Sequence, residues 1–88
     1  MNVHVVSYDL NQPGQVYPRI VGRLKALGAQ RVQHSQWMLR TSQTASQLRD
    51  DLLSYIDNND RLLVADVTNA PMAWHYLEIQ IKPAFNLT

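Results

Sequence analysis

The chain has 88 residues, 45% of them hydrophobic and 17% charged, with a formal net charge of +1 and no cysteine. That balance specifies one folded domain with a modest core rather than a disordered polypeptide, and it excludes disulfides and thiolate zinc sites. No run approaches the roughly 18 apolar residues of a membrane span, and Met1-Asn2-Val3-His4 is no basic-then-apolar leader, so a soluble, cytoplasmic protein is expected.

Residues 2–9 are rich in β-branched side chains and stop before Asn11-Gln12-Pro13-Gly14, a cluster that breaks regular structure. They predict a buried strand ending in Tyr8-Asp9. From Gln15 to Leu27 the apolar positions Val16, Ile20, Val21, Leu24 and Leu27 follow helical spacing, and Gly28 stands where a helix C-cap belongs. Residues 29–34 and 36–41 predict two strands, with Val32, Trp37 and Leu39 contributing to the core. Thr41-Ser42-Gln43 is a turn, and Thr44 with Gln47 fits a capping box. Leu48, Leu52, Tyr55 and Ile56 then give a second helix its buried stripe, which Asn58-Asn59 ends. Residues 61–67 predict a fourth strand.

The order βαββαβ predicts an α+β fold, the ferredoxin-like sandwich, with its sheet ordered 4-1-3-2 and both helices on one face. After a linker at 68–71, residues 76–82 alternate apolar and polar with a period of two, the pattern of a half-buried strand. The outer strands of such a sheet are edges that accept another strand. The expected organisation is therefore a ferredoxin-like domain over 1–75 and a C-terminal strand and tail over 76–88, exchanged across a twofold homodimer. Folding of that strand back onto its own sheet is the alternative.

This topology brings the end of strand 1, the start of helix 1, the turn between strands 2 and 3 and the start of strand 4 to one rim. Asp9, Arg19, Ser35, Asp60 and Arg61 are expected there. Asp9 is the candidate with the sharpest chemistry, because a carboxylate leaving a buried strand suits a hard cation such as magnesium. In a twofold dimer two copies of Asp9 would share the ion. The competing reading has Asp9 accepting hydrogen bonds from the following loop amides or pairing with Arg19. Arg19, Arg23 and Arg31 suit forked contacts to phosphate, although a solvated helix face accounts for the first two. Arg31 is expected toward the end opposite Asp9. Trp37 and Trp74 offer rings for bases or for packing. Ser35 has no histidine–carboxylate partner in sequence and reads as a turn hydroxyl. His4, His34 and His75 lack ligand spacing and read as strand or linker residues. The near-neutral charge weighs against a dedicated nucleic-acid binder unless a local patch outweighs the average.

Tyr8-Asp9, Arg19, Gly28 and the segment Arg31-Val32-Gln33-His34-Ser35-Gln36-Trp37 together resemble the CRISPR-associated Cas-two proteins. That family typically has Tyr-Asp at the end of strand 1 and an Arg-(Val/Ile)-Gln-aromatic-Ser-Val-Phe stretch. His34 stands in place of the usual aromatic, Gln36 and Trp37 in place of Val-Phe, and Tyr17 where a further arginine is often found. The resemblance implies a ferredoxin-like homodimer that acts in antiviral defence. It also implies either a magnesium- or manganese-dependent endonuclease on RNA or DNA, or a catalytically silent adaptor between dimers of the CRISPR integrase. In the first case Asp9 would be the catalytic metal ligand, with Tyr8, Arg19, Arg31 and Trp37 as supporting or nucleic-acid-contacting residues. Ribonuclease toxins of the virulence-associated D type are a related branch and a second expectation.

Overall fold

Strands β1 (Asn2–Asp9), β2 (Gln30–Gln33), β3 (Gln36–Thr41) and β4 (Arg61–Asp66) alternate with helices α1 (Pro13–Ala26) and α2 (Ala45–Leu53) in the order β1-α1-β2-β3-α2-β4. These bounds come from a computed structural model, which describes residues 1–11 and 13–77. The four strands form one antiparallel sheet ordered β2-β3-β1-β4. This small α+β arrangement is compatible with a ferredoxin-like sandwich. Among the described residues, β2 and β4 are the edges of the sheet.

Alternation along β1 turns His4, Val6 and Tyr8 toward the helices and Val3 and Val5 toward the other face. Val6, Trp37 and Leu39 pack there against Ile20, Leu24, Leu48 and Leu52, all essentially removed from solvent. α1 begins at Pro13, two residues earlier than its hydrophobic periodicity suggests. Proline's fixed φ and missing N–H suit a first helical turn. The helix stops where Gly28 adopts φ 80°, with the Gly28 and Ala29 amides donating to the carbonyls of Lys25 and Leu24 at 3.0 and 2.9 Å. α2 opens with the expected capping box. Gln47 N–H donates to Thr44 Oγ1 at 3.2 Å, and Gln47 Oε1 accepts from Thr44 N–H at 2.9 Å. α2 ends at Leu53, yet Ile56 still reaches the core from the turn beyond it.

Val32 does not share a face with Trp37 and Leu39. Gln33 pairs with Gln36 but Arg31 pairs with Trp37, so Val32 is the extra residue of a β-bulge. The bulge turns Val32 onto the helix-free face with Val3 and Met38, and brings Arg31 to the helix side beside Trp37. That outer face is also partly covered. Val67 N–H donates to the Val3 carbonyl and Val3 N–H to Thr68 Oγ1, both at 2.8 Å. The expected linker then turns through Asn69 at φ 56° and carries Met72 and Leu77 across Val3, Val32 and Met38. Tyr76, at φ 54°, is not extended, and neither it nor Leu77 lies in a strand. The rest of the predicted fifth strand, and the exchanged tail, lie outside the described residues.

Candidate functional site

At the rim, Asp9 and Arg61 are cross-strand partners on β1 and β4. Arg61 Nη1 approaches Asp9 Oδ2 at 3.4 Å, and both side chains stay open to solvent, 84% exposed for the arginine and 75% for the aspartate. Two shallow clefts share this pair. One, of about 240 Å³, is lined by Asp9, Leu10, Asn11, Asn59 and Arg61. The other, of about 190 Å³, adds Ser7, Tyr8, Leu62 and Leu63.

The loop-fixing role considered for Asp9 belongs to Asp60. Its two oxygens accept from the amides of Asn11 and Asp57, each at 2.7 Å, which ties the β1–α1 loop to the turn before β4. Arg19 pairs with Asp57 at 3.3 Å rather than with Asp9. Ser35 joins the rim through its carbonyl, which accepts from Tyr8 N–H at 3.1 Å. Among the described residues Asp9 is thus left with a single long contact, to the Arg61 guanidinium.

Beside this rim sits a cluster that sequence reasoning did not assemble. The Arg31 guanidinium lies 4.9 Å from the Trp37 ring and 5.5 Å from the Tyr17 ring, and donates to the Tyr17 hydroxyl. Tyr17 meets Tyr8 edge-on at 6.3 Å and stacks with His34 at 5.9 Å and an interplanar angle of 23°. Trp37 Nε1 donates to the Tyr8 hydroxyl at 3.0 Å. Burial pushes the Tyr8 phenol above its ordinary value, opposed by that hydrogen bond. No carboxylate among the described residues pairs with Arg31, and its Nε is buried without a hydrogen-bond partner.

Arg31 therefore stands level with the middle of the sheet and reaches toward the N-terminal half of α1, not toward the end opposite Asp9. Tyr8 and Trp37 are only 5% and 2% exposed, so in the single chain their rings pack in the core. Arg19 is exposed on α1, and His34 on the β2–β3 turn. His4 is fully buried, its Nε2 2.9 Å from the Gln43 carbonyl. The signal for the cluster is faint in sequence. Tyr17, Arg31 and His34 meet only because the bulge at Val32 turns Arg31 to the helix side.

Magnesium ordinarily takes one or two carboxylates, with water and phosphate oxygens completing its shell. Asp9 fits by donor type and accessibility. Among the described residues no three His, Cys, Asp or Glu side chains gather into a metal-binding group. Among the same residues, no helix is long and apolar enough to cross a membrane. No protein-family model matches the sequence.

Proposed function

We propose that this protein is a homodimeric, nucleic-acid-associated protein of Cas-two type, a ferredoxin-like sandwich with an added C-terminal strand exchanged between subunits. In this reading, Asp9 from each copy holds one magnesium or manganese ion, and the dimer hydrolyses phosphodiester bonds in RNA or DNA. The carrying observation is the state of Asp9. It ends a central strand, opens onto two clefts and, among the described residues, makes one 3.4 Å contact, while the neighbouring Asp60 performs the loop's structural work.

The ion would supply Lewis acidity toward a phosphoryl oxygen and a more acidic bound water. Asp9 would hold it. Arg61 and Arg19 present guanidinium groups on the same rim, suited to phosphate oxygens. Among the described residues no strand pairs with the outer side of β4, where Leu63 is 62% exposed, a place for the added strand of a second copy.

Purified protein should cleave RNA or DNA with magnesium or manganese, and Asp9→Ala should abolish cleavage while leaving the fold intact. Equal cleavage by Asp9→Ala would sink the metal-nuclease reading, and cleavage confined to RNA would favour a toxin-type ribonuclease. One observation supports a second reading, a silent adaptor that bridges integrase dimers: Arg61 already partly neutralises Asp9. In that case, binding falls steeply with salt, survives Asp9→Ala and is accompanied by no cleavage.

A further inference from the structure

We infer that the His34–Tyr17 ring pair is a stacking platform for one unpaired nucleobase, which makes single-stranded nucleic acid the ligand class of this rim. The inference rests on the nucleic-acid reading above and goes beyond it by naming the form of the strand.

The platform has a fixed base and an open top. Tyr17 is half-buried and held on several sides. The Arg31 guanidinium lies 5.5 Å from its ring centre and binds its hydroxyl, and the Tyr8 ring meets it edge-on at 6.3 Å. His34 lies nearly parallel to that ring at 5.9 Å and is exposed on the two-residue β2–β3 turn. Because Tyr17 is held, it gives His34 a fixed ring to lie against, which lowers the ordering cost when a base stacks on the open face of His34. Nothing in the core depends on His34, whose side chain makes no hydrogen bond among the described residues.

The location points the same way. The Ser35 carbonyl, one residue on, is bonded to the Tyr8 amide next to Asp9. Adjacent strands lie about 4.8 Å apart, so the stack and the Asp9–Arg61 pair sit about two strand widths from one another along β3, β1 and β4. A base on His34 would leave its backbone within reach of that pair. Arg31, which no described carboxylate neutralises, adds local positive charge to a chain whose total is only +1.

Bases inside a duplex are already stacked on each other, whereas an unpaired base offers its π-face to any flat ring. The platform therefore selects single strands. It also tolerates RNA and DNA alike, since stacking reads neither the 2′-hydroxyl nor the base edge.

Fluorescence anisotropy with labelled twelve-nucleotide strands of one mixed sequence tests this. The set comprises DNA, RNA, the abasic DNA strand and the corresponding DNA duplex. The wild-type protein should bind both single strands more tightly than the abasic strand or the duplex. His34→Ala should weaken single-strand binding about ten-fold, within the range for loss of one base stack. His34→Phe should retain binding, because the ring and not a charge is what acts. Duplex affinity should be the same for all three proteins, and matching thermal melts would show that the variants fold. If the wild-type protein binds strands and His34→Ala binds them equally well, the platform is overturned while the nucleic-acid reading stands. If no strand or duplex binds at low salt, both fall together.

Discussion

Two arginine–aspartate pairs in this protein use the same groups and do different things. Arg23 on α1 meets Asp51 on α2 through Nε and Nη2, at 2.8 and 2.7 Å, one bond to each carboxylate oxygen. The Asp51 side chain is only 15% exposed, and Gln43 Nε2 lies 3.4 Å from one of its oxygens. The Gln43 carbonyl in turn takes His4 Nε2 and Asn2 Nδ2 from β1. That pair couples both helices to the central strand. Asp9 and Arg61, by contrast, meet once, at 3.4 Å, in open solvent. A forked, half-buried pair is committed to the fold, while an exposed single contact contributes little to it and stays available to a ligand.

The largest test concerns the interior on which both pairs depend. Trp37→Ala removes a ring that is 2% exposed, along with its hydrogen bond to Tyr8 and its stacking with Arg31. It should cost about 3–5 kcal/mol, as loss of a large core aromatic does, read from urea unfolding. A loss near zero would mean that Trp37 is not core.

Next in size is Asp51→Asn. Hydrogen bonding from Arg23 holds the Asp51 carboxyl below its usual range, assisted by Gln43 and opposed by partial burial. A carboxyl depressed in the folded state stabilises the protein above its unfolded pKa, and that stabilisation disappears as pH falls through the lower, folded value. The wild type should therefore lose stability as the pH drops below about 4, and Asp51→Asn should be flatter over that window. At neutral pH the variant should be about 1–2 kcal/mol less stable, in keeping with loss of a charged hydrogen bond. Parallel acid profiles would show that the Arg23–Asp51 fork is not the acid-sensitive contact.

Much of the scaffold in this comparison was legible from residue pattern. β1, the capping box of α2 and the Gly28 cap all follow from local chemistry: β-branched runs, Thr44 with Gln47, and one glycine at positive φ. What was not legible arises from non-local geometry. The bulge at Val32 has no marker in Arg31-Val32-Gln33, yet it exchanges the faces of Arg31 and Val32 and so creates the aromatic cluster. The partner of Asp9 likewise depended on register. Arg19 and Arg61 are both plausible in sequence, and only the pairing of β1 with β4 selects Arg61. The topology alone puts Asp60 on the rim, but that both its oxygens are taken by amides is visible only in the folded loop.

The smallest stability effect is the most informative about function. Arg61→Ala should change unfolding free energy by no more than about 0.5 kcal/mol, because an exposed single contact is screened by water. Its effect on a cation at Asp9 should be larger than its effect on the fold. A guanidinium about 4 Å away repels a divalent ion by on the order of 2 kcal/mol in water, twice the figure for a unit charge, so Arg61→Ala should tighten manganese binding by up to roughly thirty-fold at low salt. Titration calorimetry with manganese alone would measure the gain, and Asp9→Ala should remove the binding altogether. The gain should shrink at high salt, where exposed charges are screened over a shorter distance. Unchanged manganese affinity in Arg61→Ala would mean that Asp9 is not the ion's ligand. Tighter manganese binding combined with weaker binding of a nucleic-acid strand would give Arg61 two roles, masking Asp9 in the free protein and turning to a phosphate when a strand arrives.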